Sequence, residues 1–261
     1  MIPLHTLKRD IVEVGRRVYT RNYVASNDGN ISARLDERRV LITPTGVSKG
    51  FMSPEDMIVV DMDGKVVQGT KKPSSEVFMH LAIYKHRPDV HGICHAHPPY
   101  ATGFAVAGIS LEQCVLPEVV VVLGGIPLVE YGTPGTEEFF RPVLKKLGTY
   151  DAFLLANHGA LTIGKDLFNA YYKMETLEHF AHIAFVAQTL GHITTLNAEQ
   201  VKKLTDLRAK FGITSTAACV TCEEEGSCEL HPPAEAPKAD EREALIREVT
   251  DEILRRMQST P

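Results

Sequence analysis

Tryptophan is absent from this 261-residue sequence, which by itself excludes little. Other absences say more. No apolar run approaches the ~18 residues a helix needs to cross a bilayer. Basic residues are not in excess: 28 Lys and Arg stand against 33 Asp and Glu, a formal charge of −5, with both signs mixed along the chain. A nucleic-acid binder ordinarily carries a basic patch or stripe, so that class is disfavoured and membrane insertion with it. A local positive field around an anionic substrate stays open. Met1 to Asp10 holds no signal-peptide apolar segment. Cysteines number five, and Cys94 and Cys114 lie in apolar stretches where a small buried thiol is the plain reading. Without an export signal, a reducing cytoplasmic setting fits better than a disulfide scaffold.

What remains is a globular composition, with 44% hydrophobic residues to build a core. Leu4 to Tyr23 reads as an amphipathic helix, with Leu7, Ile11, Val14, Val18 and Tyr19 on one face. Strands are expected at Ile31–Leu35 and Val40–Thr43, and a hairpin around Asp63-Gly64. Ser74 and Ser75 look like hydroxyl caps of a helix running on through Val77, Leu81 and Tyr84. His91–His97 and Ala152–Ala156 read as strands. Tyr100–Ala107, Glu137–Leu147 and Asn169–Leu190 read as helices. Tight turns between strands favour a three-layer α/β/α domain with a largely antiparallel central sheet.

Four features carry chemistry. In His95-Ala96-His97 the imidazoles, two apart on a strand, project to one side and can reach one ion, though chance alternation explains them equally well. Asn157-His158-Gly159 follows an apolar strand, where His158 is either a third ligand or a satisfied boundary histidine. Glu76, one turn into its helix, is either a dipole-stabilising surface charge or, on the functional reading, a general base or a labile fourth metal ligand. Gly29-Asn30, Thr45-Gly46 and Ser74-Ser75 are donor-rich loop residues that can hold a phosphate dianion or serve as ordinary turns and caps.

Taken in order, Gly29-Asn30-Ile31-Ser32, Leu41 to Gly46, Pro73-Ser74-Ser75-Glu76, His95-Ala96-His97-Pro98 and Leu155 to Gly159 resemble the class II aldolase/adducin family. The resemblance runs from about Leu4 to about Leu190. It implies a homotetramer with active sites between subunits, and a divalent ion, zinc first, on His95, His97, His158 and Glu76. It implies a sugar-phosphate substrate whose phosphate sits among Gly29, Asn30, Thr45, Gly46, Ser74 and Ser75. Glu76 would move the proton at C3, and Tyr131 the proton on the aldehyde oxygen. Similar 4-epimerases carry aspartate at the Glu76 position and a further aspartate downstream, whereas Leu116 to Val122 offers only Glu118. That favours an aldolase releasing dihydroxyacetone phosphate and a short aldehyde from fuculose, rhamnulose or ribulose 1-phosphate. A 4-epimerase, a methylthioribulose-phosphate dehydratase and a non-catalytic adducin-like scaffold are the alternatives.

The catalytic domain is expected over 1–213, followed by a Cys-containing, Pro/Ala-rich linker (214–239) and an amphipathic helix (240–261). Residues 240–258 either fold back on the protein or resemble an encapsulation peptide that docks on a bacterial microcompartment shell protein. Cys219, Cys222, Cys228 and His231 are either a second metal or cluster site or incidental thiols in a flexible segment.

Overall fold

The computed structural model describes residues 2–213 and 215–220. The expected C-terminal helix and its encapsulation role, Cys222, Cys228, His231 and most of the linker lie outside the described residues.

The first helix, α1 (Leu4–Thr20), buries Leu7, Ile11, Val14 and Val18, as its periodicity requires. Tyr19, expected on that face, is instead part-exposed and packs edge-on to Phe51. Strands β1 (Asn30–Arg34), β2 (Arg39–Ile42), β3 (Ile58–Asp61) and β4 (Val66–Gln68) follow as an antiparallel meander. Then come α2 (Val77–His86), β5 (Gly92–Ala96), α3 (Pro99–Ala107), α4 (Pro117–Val122) and β6 (Leu128–Val129). The order ends with α5 (Glu137–Lys146), β7 (Ala152–Leu155), β8 (Gly159–Gly164), α6 (Leu167–Thr189) and α7 (Ala198–Lys210).

The eight strands form one sheet in the order β4-β3-β2-β1-β5-β8-β7-β6. It is a mixed sheet, because β6 runs parallel to β7 while the other pairings are antiparallel. The parallel edge arises because β6 reaches β7 through α5, a crossover rather than a tight turn.

Strand alternation divides the core in two. Ile31, Ala33, Cys94 and Ala96 pack on one face against α1, α3 and α6 through Ile11, Phe104 and Leu177. Ile42, Val60, Ile93, Phe153 and Leu161 pack on the other against α2 and α5 through Met79, Ile83, Phe139 and Val143. The sheet is thus sandwiched between helical layers. Both faces being covered explains why its strands read as continuous apolar runs.

Two sequence expectations need correction here. Cys114 is not a free thiol but is disulfide-bonded to Cys219 across 105 residues. This removes Cys219 from the set with Cys222, Cys228 and His231, and of the described cysteines only Cys94 is free. The linker expected from 214 is, over Ser215–Val220, fastened to the body: Ser215 Oγ donates to the Thr149 carbonyl and Val220 N–H to that of Glu112. The disulfide and these backbone bonds override the composition that suggested a free tether. No helix among the described residues is long and apolar enough to cross a membrane.

Candidate metal centre

β5 lies at the middle of the sheet, between β1 and β8. Cys94 and Ala96 enter one core cluster, which turns His95 and His97 toward the opposite face, as strand alternation demands. His97 stands one residue past β5, its N–H held by the Tyr23 carbonyl. Pro98-Pro99 then opens α3, whose first amides, on Tyr100 and Ala101, donate to the buried Glu178 carboxylate of α6 at 3.0 and 2.8 Å. A carboxylate at a helix N-terminus fixes where α3 starts, and with it where His97 stands.

His158 sits in the turn between β7 and β8. The left-handed residue of this turn is Asn157 (φ 56°) rather than Gly159. Gly159 is needed for space: a Cβ there would lie 2.6 Å from the Ala96 carbonyl oxygen and 2.6 Å from His97 Cδ2. Phe139 of α5 meets the His158 ring edge-on, centroids 4.8 Å apart.

The ligand atoms of His95, His97 and His158 all fall within 4.8 Å of one another, and among the described residues they are the group suited to a metal ion. Glu76 Oε2 is 3.2 Å from His95 Nε2, Glu76 Oε1 is 3.1 Å from His158 Nε2, and the two Nε2 atoms are 3.1 Å apart. Burial pushes the His95 pKa down to about 3 and lowers that of His97 as well, so both rings are neutral at neutral pH. His95 Nδ1 donates to the Ala160 carbonyl at 2.8 Å, which leaves its Nε2 lone pair facing the centre. Among the described residues, buried His97 Nε2 has no hydrogen-bond partner. One shared proton can satisfy a single pair of these groups, whereas one cation satisfies them together. The donor set therefore fits a divalent transition metal, with three imidazoles and the Glu76 carboxylate beside two of them. Residues of the sequence-derived set thus meet at one point.

Glu76 is not a turn into the helix but its N-cap residue (φ −97°), and no side chain caps α2. It is 7% exposed, so the surface-charge reading fails. Burial alone would raise its pKa, but the imidazoles of His95 and His158 and the Asn30 amide outweigh that and hold the carboxyl well below the ordinary range.

The expected phosphate residues form a rim beside it. Pro44 and Pro73 bridge the two loops, Thr45 N–H donates to the Lys72 carbonyl, and Ser74 N–H to that of Thr43. Thr45, Gly46 and Ser75 are exposed, whereas Ser74 is buried and its Oγ accepts from the Glu76 N–H at 3.3 Å. Gly29 (φ 71°) presses on the His95 carbonyl. Asn30 departs from expectation: its side chain turns into the protein, Nδ2 donating to Glu76 Oε2 at 2.8 Å and Oδ1 meeting His80 Nε2 at 2.6 Å. Tyr131 is 61% exposed, on the loop leading to α5. In the same loop Gly135 approaches the Ser75 carbonyl.

Sequence reasoning missed Asp28, His80, Ser32 and Tyr84. Asp28 Oδ2 lies 3.5 Å from His97 Nδ1. The others left a signal: Glu76, His80 and Tyr84 recur every four residues, and Asn30 and Ser32 every two, one face of a helix against one face of a strand. A cleft of about 900 Å³ lined by Arg34, Arg38, His91 and Lys165 contains none of these residues, so cavity size does not mark the centre.

A histidine triad suited to a metal ion thus stands on a sheet covered by helices on both faces. Residues 9–185 match the class II aldolase and adducin N-terminal domain model, and the chain belongs to that family. It is 36% identical over 207 residues to the 3-oxo-tetronate 4-phosphate decarboxylase of Haemophilus influenzae, covering 78% of this chain and 94% of that protein. It is also 36% identical over 181 residues to the L-fuculose phosphate aldolase of Methanococcus maripaludis, covering 69% and 97%. Among solved structures, an L-fuculose 1-phosphate aldolase superposes with a TM-score of 0.72 at 31% identity, covering 78% of this chain and 95% of that one. YgbL of Klebsiella pneumoniae, described as an aldolase, epimerase or decarboxylase, gives the same TM-score at 33% identity, covering 78% and 100%.

Proposed function

We propose that this chain is a zinc-dependent aldolase that cleaves a ketose 1-phosphate of the fuculose, rhamnulose or ribulose type to dihydroxyacetone phosphate and a short aldehyde such as lactaldehyde. The observation that carries the reading is the convergence of the His95, His97 and His158 ligand atoms on one point, with the Glu76 carboxylate against His95 and His158. A zinc ion held by His95, His97 and His158 would supply Lewis acidity toward the substrate carbonyl. Thr45, Gly46 and Ser75 offer exposed hydroxyls and amides to the phosphate, with Gly29 and Ser74 shaping the rim. Glu76, anionic and fixed, transfers the proton at C3. Tyr131, exposed on its own protomer, serves a neighbouring subunit in a homotetramer and manages the proton on the aldehyde oxygen.

A second reading is favoured by one observation. The Haemophilus influenzae decarboxylase aligns over more of the chain than the Methanococcus maripaludis aldolase does. The two chemistries share their core. Breaking C3–C4 of a ketose 1-phosphate leaves an electron pair on C3 beside the C2 ketone. Loss of carbon dioxide from 3-oxo-tetronate 4-phosphate leaves the pair on C2 beside the C3 ketone. Both give the same three-carbon enediolate, and protonation of it gives dihydroxyacetone phosphate. They differ in the departing fragment, because an aldehyde leaves only after its hydroxyl has lost a proton, whereas carbon dioxide needs no such transfer.

Incubation with the three ketose 1-phosphates and with 3-oxo-tetronate 4-phosphate, with and without chelator, tests both. Aldehyde formation supports the first reading and carbon dioxide the second. An epimerised or dehydrated product, or no turnover, would replace them with the epimerase, dehydratase or scaffold alternatives. Undiminished turnover by metal-stripped protein would remove the zinc from the mechanism. Tyr131→Phe should abolish aldehyde release by about 100-fold or more while sparing decarboxylation. Mixed tetramers of Tyr131→Phe and Glu76→Gln protomers should recover activity, because some sites then pair an intact Glu76 with a neighbour's intact Tyr131.

A further inference from the structure

A line of buried polar side chains runs away from Glu76 between β1 and α2. Asn30 and Ser32 lie two apart on one face of β1, while His80 and Tyr84 lie four apart on the face of α2 that covers them. Asn30 Nδ2 reaches Glu76 Oε2 at 2.8 Å, and Asn30 Oδ1 meets His80 Nε2 at 2.6 Å. His80 Nδ1 meets Ser32 Oγ at 2.6 Å, and Ser32 Oγ meets the Tyr84 hydroxyl at 2.9 Å. Ser32 and His80 have no exposed surface, and Asn30 and Tyr84 have almost none.

The direction of every bond in this line is fixed from one end. Glu76 is an anion and only accepts, so Asn30 must turn its amide nitrogen toward it. Its oxygen then faces His80, which must carry hydrogen on Nε2. Nδ1 of that ring is therefore an acceptor, Ser32 donates to it, and Tyr84 donates to Ser32. Burial supports a neutral ring, holding the His80 pKa at about 4. An asparagine amide does not pass protons on in its ordinary form, so the line is no proton wire. What it does is fix an orientation.

We propose that His80, backed by Ser32 and Tyr84, is a positioning residue for the Glu76 carboxylate. By holding hydrogen on Nε2 it prevents the Asn30 amide from flipping and presenting oxygen to oxygen at Glu76. The carboxylate then keeps both oxygens aimed at the histidine centre, where a productive geometry is narrow. This inference rests on the lyase reading for its kinetic consequence, but not for its structural one.

The structural test is ¹⁵N NMR of histidine-labelled protein at neutral pH. The His80 ring should show hydrogen on Nε2 and a bare Nδ1, and the opposite tautomer would overturn the proposal whatever the protein's activity. The kinetic test uses whichever phosphate substrate the wild-type protein turns over. His80→Phe should lower kcat by roughly 10- to 100-fold, with KM and metal content little changed. His80→Gln, which can still donate to Asn30 Oδ1, should restore most of that loss. Ser32→Ala and Tyr84→Phe change shape hardly at all and cover the case in which His80→Phe does not fold; they should each lower kcat a few-fold at constant KM. Unchanged kcat in both, failure of glutamine to rescue, or parallel loss of metal would each overturn the positioning role. Absence of wild-type turnover on any phosphate would overturn the lyase reading instead, with the tautomer still to be read by NMR.

Discussion

Gly159 is the position where the fold and the metal centre compete for the same space. An ideal Cβ at this residue lies 2.6 Å from the Ala96 carbonyl oxygen and 2.6 Å from His97 Cδ2, with His95 Cε1 at 3.4 Å. Ordinary contacts begin near ~3.5 Å, so in Gly159→Ala each of the two close neighbours must retreat by about 0.9 Å. The carbonyl cannot yield easily, because Ala96 and Ala160 are partners in the β5–β8 ladder at the centre of the sheet. The His97 ring can, and any retreat takes it out of its present alignment with the other two imidazoles. Overpacking of this kind costs about 1–3 kcal/mol. Loss of one of three ligands from alignment adds a second effect, a metal affinity weakened about 100-fold, equivalent to about 2.7 kcal/mol at saturating metal. The assay is denaturant unfolding of wild type and variant, each metal-free and with excess zinc, together with a zinc titration. The variant should be less stable metal-free and should lose most of the stabilisation that zinc gives the wild type. A variant whose zinc affinity and metal-free stability match the wild type would refute the reasoning, since nothing in the turn would then be tight.

Glu76→Gln keeps the shape of the side chain and removes its charge; it should retain zinc on the three histidines while kcat falls about 100-fold or more, measured by dihydroxyacetone phosphate release beside metal analysis. His80 gives a pH dependence with a definite sign. The unfolded ring takes up a proton near pH 6.5 and the folded one only near about 4, so stability is full above 6.5 and drains as pH falls through that window. The total is about 3 kcal/mol, and metal-free His80→Gln should lose that part of the slope when unfolding is followed from pH 7 to 4.5. Reduction of Cys114–Cys219, which closes a loop of 105 residues, should cost about 3–5 kcal/mol and lower Tm by about 5–15 °C. A Tm that stays put while thiol titration counts both cysteines free would contradict it.

Much of the fold was legible in the chain because its signals are local. The periodicity of α1, the Asp63-Gly64 turn between β3 and β4, and the apolar runs of β5 and β7 each follow from a few neighbouring residues. The hydroxyls of Ser74 and Ser75 misled: no side chain caps α2, and the Ser74 hydroxyl instead accepts from the N–H of Glu76, which is itself the N-cap residue. The Cys114–Cys219 bond was out of reach for a different reason: nothing near either cysteine encodes a partner 105 residues away.

At the centre the division is the same. Residue order by itself determined that His95 and His97 share a side of one strand, since the pleat alternates by two whatever surrounds it. It also supplied the motif order that resembles the family to which the chain belongs. Only the tertiary structure decided that His158 and Glu76 close on that pair, and that Asn30 faces inward to His80 rather than outward to the rim. Those placements depend on which strands become neighbours in the sheet and which helix covers them. Such choices are made by burial summed over the whole domain, and no short window of sequence contains them.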